Sequence, residues 1–247
     1  LKNKPNVMYP PIFRADNKIQ LKELLNIPLH EIEKKSSVSL INNIIKQRSI
    51  KSEEEINEIK TALKITNLIH LKAMGTSKPG KYEYEIVAEM ESIIQSNNVK
   101  LAYPVIFTKN GQILHNSVYH NKILDGDLLL NDSGANSLLH YASDITRTFP
   151  ANGKFSNQQK EIYLIVKEMQ ETVMKQLKPG VSFKEMHKLS AYIGIKRLKE
   201  IGLLKGSSEE ALSKGVYGLF YPHGLGHMLG LDVHDMESLG EDMVGYS

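Results

Sequence analysis

The residues best equipped for chemistry lie in the second half of the chain. Asp132 and Asp144 stand in the stretch Asp127 to Pro150, DLLLNDSGANSLLHYASDITRTFP, on two runs of β-forming residues, Leu128 to Asp132 and Tyr141 to Phe149, joined by Ser-Gly-Ala-Asn-Ser. That pattern predicts a hairpin with its two acids facing one another. Neighbouring carboxylates repel unless a cation or a shared proton lies between them, so a metal ion is the expected occupant. A second stretch, Phe220 to Asp235, FYPHGLGHMLGLDVHD, carries His223, His227 and His234 among Gly224, Gly226, Gly230 and Pro222. This much glycine and proline excludes the helical histidine pair of an HExxH zinc site, and no HExxH occurs in the chain. Two carboxylates with one imidazole make a hard ligand set, which favours Mn²⁺-like or Co²⁺-like ions or a dinuclear cluster.

The elements that must position these groups are legible from periodicity. Ser52 and Glu55 form a capping box, and Ile56, Ile59, Ala62, Leu63, Ile69 and Ala73 then recur at helical spacing up to Gly75, which predicts one core-facing helix. After Lys78-Pro79-Gly80 a second helix is expected from Tyr82 to about Asn97, with Ile86, Met90, Ile93 and Ile94 inward. Strands are expected at Tyr103 to Phe107 and Ile113 to His115, and Asp125-Gly126-Asp127 reads as the turn into the Asp132 strand. A helix from Ser156 to Leu177, Lys178-Pro179-Gly180, and a helix from Ser182 to about Leu203 then repeat the scheme, with the two tripeptides 100 residues apart. The first copy needs 70 residues after Gly80 to close its acidic hairpin and the second has 67 after Gly180, so the chain is expected to stop ahead of a second hairpin.

Composition narrows the class. The 247 residues suffice for one sizeable core, and 31 basic against 28 acidic side chains, spread evenly, do not mark a nucleic-acid binder. The absence of cysteine excludes disulfides, thiolate metal sites and cysteine nucleophiles, and points to a reducing compartment, hence a cytoplasmic protein. No apolar run reaches the roughly 20 residues of a membrane helix. The chain opens at Leu1, so a removed leader would not be visible. Residues 1–50, proline-punctuated with short amphipathic pieces such as Ile19 to Leu25 and Val38 to Ile45, read as the end of another domain.

The same residues admit other chemistries. Asp132 alone would be an Asx turn and Asp144 a surface acid or cap; their occurrence together with Gly-Leu-Gly-His favours a site. Asp132-Ser133-Gly134 resembles the surroundings of a serine-protease nucleophile, which makes an acyl-enzyme hydrolase using Ser133 the rival. Four long helical patterns, no cysteine and no Gly-x-Ser-x-Gly count against it. His30, His70, His120, His140 and His187 are read as background.

Taken together, NDSGANSLLHYASDITRTFPANGKFSNQQKEIY and FYPHGLGHMLGLDVHD resemble the creatinase/aminopeptidase P branch of the pita-bread metallopeptidases, with Xaa-Pro aminopeptidases nearest and prolidase next. Arg48-Ser49-Ile50-Lys51-Ser52 resembles that family's linker into its catalytic domain, and the match runs from about residue 48 to the end. The resemblance implies an α+β pita-bread fold, a curved antiparallel sheet backed by two helix pairs, C-terminally incomplete. Residues 1–50 would be the remnant of an N-terminal domain with its linker, and 51–247 a catalytic domain cut before its last strands. It implies two divalent metal ions, Mn²⁺ first with Co²⁺ or Zn²⁺ as alternatives. Asp132 would be a bidentate ligand, Asp144 the bridge and His227 the imidazole ligand. His115, His223 and His234 would line the substrate site, His234 steadying the scissile carbonyl. Two further glutamate ligands are implied beyond the last residue, since Glu237 and Glu241 follow His234 too closely; this length of chain is then expected to bind metal weakly or to be inactive. The 12-residue spacing from Asp132 to Asp144 is one longer than the resemblance leads one to expect, with the extra residue placed in the Asn136 to Leu139 loop. The implied activity is metal-dependent removal of the residue ahead of proline from peptide substrates by a homo-oligomer, without nucleic acid or membrane. Prolidase, restricted to dipeptides, and a non-catalytic peptide- or protein-binding member are the alternatives.

Overall fold

The computed structural model describes residues 7–245. Three helices lead the chain: α1 (Ala15–Leu25), α2 (Leu29–Ile32) and α3 (Val38–Ser49). Tyr9, Ile32 and Ile41 are buried in this part of the chain, and the Tyr9 hydroxyl donates to the Ile32 carbonyl at 2.9 Å. Helix α4 (Glu53–Thr76) begins at the predicted capping box, in which Ser52 Oγ accepts from the Glu55 N–H at 3.3 Å and Glu55 Oε2 accepts from the Ser52 N–H at 2.7 Å. Helix α5 (Glu83–Ser96) follows the Lys-Pro-Gly turn, where Gly80 takes φ +98°, a left-handed conformation that a side chain would strain.

Strands β1 (Ile106–Thr108), β2 (Leu128–Ser133) and β3 (Ile145–Pro150) form an antiparallel sheet in that order, with Ile106 opposite Asp132 and Asp132 opposite Thr146. Helices α4 and α5 cover one face of it. Ile65, Ile69, Ile86, Val87, Met90 and Ile94 pack there against Phe107, Ile123 and Leu129, forming a single core. Along β2 burial alternates: Leu129, Asn131 and Ser133 point into this core, and Leu128, Leu130 and Asp132 lie on the opposite face. Period two therefore places the Asp132 carboxylate on the side away from the helices.

The second helix pair, α6 (Asn157–Gln176) and α7 (Phe183–Glu200), repeats the first. Ser156 and Gln159 form its capping box, and Gly180 takes φ +88° in the second Lys-Pro-Gly. Each pair packs closely on itself, and the first pair also rests on the sheet, α4 against β2 and β3 and α5 against β1. Helix α8 (Ser208–Ser213), two 3₁₀ turns at Val216–Leu219 and Glu237–Leu239, and α9 (Glu241–Val244) complete the described residues. The α+β class and both helix pairs are as expected. The ends of the two expected domains, residues 1–6 and 246–247, lie outside the described residues.

Three local expectations are corrected. Ile113 to His115 is a turn, closed by the Ile113 N–H on the Asn110 carbonyl at 2.9 Å, with His115 at φ +54°; its alternation is too short to hold a strand without a partner. The first strand starts at Ile106 rather than Tyr103, because Pro104 has no N–H to give a ladder. Ile56 is 41% exposed, whereas Ile65, Thr66 and His70 face the core, so the buried stripe of α4 starts later than periodicity suggested and includes polar side chains.

Candidate metal centre

Asp132 and Asp144 are diagonal neighbours across the hairpin, on the face that α4 and α5 leave uncovered. Ser133 pairs with Ile145, and beyond that pair Gly134 lets the strands converge: a Cβ built there would lie 1.8 Å from the Ser143 carbonyl oxygen. The Ser143 N–H donates to the Ala135 carbonyl at 3.0 Å, holding Asp144 at the edge of β3. The loop from Asn136 to Tyr141 folds on itself through the Ser137 N–H on the Tyr141 carbonyl at 2.8 Å.

Tyr103 reaches both acids. Its hydroxyl lies 2.6 Å from Asp132 Oδ1 and 2.7 Å from Asp144 Oδ1, sharing one proton between two acceptors. Its position comes from a break in the ladder. Ile106 is opposite Asp132 and Leu101 opposite Ala135, so five steps of backbone face three, and the excess around Tyr103 and Pro104 turns the phenol over the carboxylates. A Tyr-Pro at the start of an expected strand was its only trace in the sequence.

His227 completes the group. Its Nε2 lies 3.1 Å from Asp144 Oδ2, and its Nδ1 lies 2.9 Å from the Met228 carbonyl. A carbonyl only accepts, so Nδ1 carries a proton and the Nε2 edge faces the acids, the orientation a ligating imidazole requires. The His234 ring stacks on His227 with centroids 4.0 Å apart, and Glu237 Oε2 accepts from His234 Nδ1 at 2.8 Å. With both side chains about a quarter exposed, the contact raises His227 to about 9: the Asp144 hydrogen bond outweighs burial. The two carboxyl groups are pushed in opposite directions. Burial raises Asp132, opposed by the Tyr103 hydroxyl and reinforced by the Asp144 charge. Burial would raise Asp144 too, but His227 and Tyr103 outweigh it and hold that group below the ordinary carboxylate range. Burial beside two acids also raises the Tyr103 phenol.

The three expected ligands thus come together, as a hydrogen-bonded chain Asp132–Tyr103–Asp144–His227. Their donor set fits a divalent cation: two hard carboxylates in contact, and an imidazole whose far nitrogen is already held. In this arrangement their lone pairs are engaged with each other, and among the described residues no three His, Asp or Glu side chains encircle a common point.

The three remaining histidines are placed differently. His234 joins the site. His223 is exposed, its Nδ1 2.9 Å from the Gly224 carbonyl and its ring edge-on to Tyr221, which in turn meets His187 at 5.2 Å. His187, read as background, is thus part of an aromatic cluster on α7. His115 is exposed on its turn, and no contact joins it to the acids among the described residues. That turn belongs to a loop anchored by Glu83. Although wholly buried, Glu83 accepts from the Lys109 N–H at 2.9 Å and from the Asn121 side chain at 2.9 Å.

His70, also read as background, lies at the back of the hairpin. Asn131 Nδ2 donates to its Nδ1 at 3.1 Å, so its Nε2 carries the proton toward Ser133, whose Oγ is 3.3 Å away and donates to Asn131 Oδ1 at 3.0 Å. The arrangement resembles a serine–histidine–asparagine triad, yet the imidazole faces the serine as a donor, and Ser133 and Asn131 are fully buried. The rival acyl-enzyme reading fails on both counts. Asp125 and Asp127 serve the turn as expected: Asp127 Oδ2 accepts from the Leu124 N–H at 2.7 Å and from Lys109 Nζ at 2.9 Å, and Asp125 accepts from Asn152 at 2.8 Å.

An open-faced antiparallel sheet backed by a helix pair, with two hairpin acids and a glycine-flanked histidine meeting on the open face, defines the pita-bread class. Residues 57–245 match the profile of Metallopeptidase family M24, and the chain belongs to that family. It is 42% identical over 200 residues to a Xaa-Pro aminopeptidase of Haemophilus influenzae, covering 79% of this chain and 46% of that protein, and 40% identical to the Xaa-Pro aminopeptidase of Escherichia coli, covering 79% and 45%. Among solved structures, the aminopeptidase PepP of Pseudomonas aeruginosa aligns with a TM-score of 0.84 at 34% identity, over 95% of this chain and 55% of that one. Zn-substituted E. coli aminopeptidase P in complex with product aligns with a TM-score of 0.77 at 38% identity, over 82% and 46%. The chain spans about half the length of the curated relatives it matches.

Proposed function

We propose that the protein is a metal-dependent exopeptidase that hydrolyses the bond between an N-terminal residue and a following proline, with Asp132, Asp144 and His227 as metal ligands. The observation that carries this reading is the hydrogen-bonded chain Asp132–Tyr103–Asp144–His227, in which the Nε2 edge of His227 faces Asp144, in a protein about 40% identical to proteins named Xaa-Pro aminopeptidases. Divalent ions bound there would supply a Lewis acid and a water of lowered pKa, so no protein nucleophile is needed. Two such ions, Mn²⁺ by preference, belong to the reading; a Zn-substituted relative indicates that related sites accept other divalent ions.

The chain's own residues have separable tasks. The Met228 carbonyl fixes the His227 tautomer, Tyr103 holds a proton between the carboxyl groups, and Glu237, by accepting from Nδ1 of His234, fixes the orientation of that ring beside His227. His223 and His115, both exposed, would meet the rest of the peptide. Residues 1–50 form the end of a preceding domain with its linker, and 51–247 belong to the catalytic domain. A cytoplasmic homo-oligomer is part of the same proposal, supported by the absence of cysteine and by apolar side chains such as Val166 and Met174 left exposed on α6. Among the described residues no helix is long and apolar enough to cross a membrane.

The deciding experiment supplies the intact protein, stripped by chelator and reloaded with Mn²⁺, with a Xaa-Pro dipeptide and a Xaa-Pro-Xaa tripeptide. Release of the first residue from the tripeptide is expected. Cleavage of the dipeptide alone would make the protein a prolidase, and metal uptake without cleavage of either would make it a binding module.

A further inference from the structure

Asp235 ties the loop bearing His227 and His234 to the segment ahead of α4. Its side chain is 1% exposed, Oδ1 accepts from Arg48 Nη2, and Oδ2 accepts from Lys51 Nζ at 3.0 Å. Arg48 Nη2 also reaches Asp232 Oδ2 at 3.0 Å, so two cations meet two carboxylates and the group is neutral. A buried carboxylate is tolerated only with such partners, and removing one leaves an uncompensated charge.

The same aspartate closes the histidine loop on itself. Its N–H donates to the Met228 carbonyl at 3.0 Å, the carbonyl that also receives His227 Nδ1, and its Oδ1 accepts from the Asp232 N–H at 3.3 Å. Gly230 makes room, since a Cβ there would lie 2.5 Å from Asp235 Oδ2. The Gly230 carbonyl in turn accepts from the Ala142 N–H at 2.8 Å, two residues ahead of Asp144. Glu55, at the start of α4, accepts from the Tyr141 hydroxyl at 2.8 Å. Arg48 and Lys51 thus hold the histidine loop through Asp235, and the first turn of α4 holds the hairpin through Tyr141.

We infer that Arg48, Lys51 and Asp235 form a latch that positions the His227 imidazole against Asp144. These are positioning residues, and Arg48 and Lys51 lie ahead of the region that matches the family profile. The inference rests on the metallopeptidase reading for the task of His227, but the latch itself can be tested apart from it.

In the intact, metal-free protein, Arg48→Met, Lys51→Met, Asp235→Asn and the Arg48→Met/Asp235→Asn double variant are compared for hydrogen exchange over residues 226–236 and at Ala142, for Mn²⁺ affinity, and for thermal unfolding. Each single variant is expected to speed exchange in both segments at least about tenfold and to weaken Mn²⁺ binding by about 10–100-fold, the usual effect of losing a group that orients a ligand. Arg48→Lys should stay within about threefold of wild type, and the double variant should be no worse than the poorer single one. Variants that lower the melting temperature while exchange and Mn²⁺ affinity stay at wild-type values would reduce the latch to a structural ion pair and overturn the inference. If the wild-type protein takes up no Mn²⁺, the proposed function fails. Loop exchange then decides the latch alone, faster exchange supporting it and unchanged exchange refuting it.

Discussion

Gly134→Ala tests the closest approach in the site. The added Cβ would lie 1.8 Å from the Ser143 carbonyl oxygen and 2.7 Å from its carbon, about 1.5 Å nearer than non-bonded atoms settle. Both atoms are backbone, so no side chain can turn aside. The strands must part by that distance at the point where Asp144 leaves β3. Parting them strains the Ser143 N–H bond to the Ala135 carbonyl and the Ala135 N–H bond to Thr66 Oγ1, at 3.0 and 2.9 Å. Overpacking costs about 1–3 kcal/mol and each of the two strained bonds about 1 kcal/mol, so a loss of about 3–5 kcal/mol is expected in urea unfolding. A displacement of about 1 Å between Asp132 and Asp144 should also lower kcat by about 10²-fold on a Xaa-Pro-Xaa peptide. A variant within about 0.5 kcal/mol of wild type, with normal turnover, would refute the claim that Gly134 sets the separation of the two acids.

Three further predictions concern the site and its support. In the metal-free protein, His227 is raised from 6.5 to about 9 by Asp144, so its contribution, about 3 kcal/mol, is complete below pH 6.5 and lost as pH rises through about 9. The lowered Asp144 is the other side of the same contact: its stabilisation is present above its ordinary value and lost as pH falls. Urea midpoints at pH 6 and pH 10, compared with those of Asp144→Asn, check the slope, which the variant should abolish. Asp144→Asn should also reduce Mn²⁺ affinity and turnover by at least about 10²-fold while leaving a soluble, cooperatively folding protein; wild-type turnover would contradict its place among the ligands. Phe107→Ala, at a fully buried position of the sheet core, should cost about 3–5 kcal/mol by chemical denaturation, and a loss under about 1 kcal/mol would contradict the packing described.

Local rules carried far in this chain. The capping residues Ser52 and Ser156, the two Lys-Pro-Gly turns and the apolar spacing of α5 act within a few residues, and the expected helices formed where they indicated. The expectation for Ile113 to His115 failed because a short apolar run becomes a strand only when another strand lies beside it. Asp132, Asp144 and His227 stood out because acids in a predicted hairpin and a histidine among glycines are unusual in neighbouring segments.

By itself the sequence determined the helix pairs, the hairpin and the residue types that converge on it, since capping, turn chemistry and period-two alternation are properties of adjacent residues. Only the tertiary structure decided that Tyr103 bridges the acids, that His70 and Ser133 are sealed behind the hairpin, that Glu83 anchors the His115 loop, and that Arg48 and Lys51 neutralise Asp235. Each of these depends on backbone brought together across tens of residues, 184 of them between Lys51 and Asp235. In the one-dimensional chain such residues have no neighbour to give them away, and a buried charge acquires its partner only when the fold has removed the water.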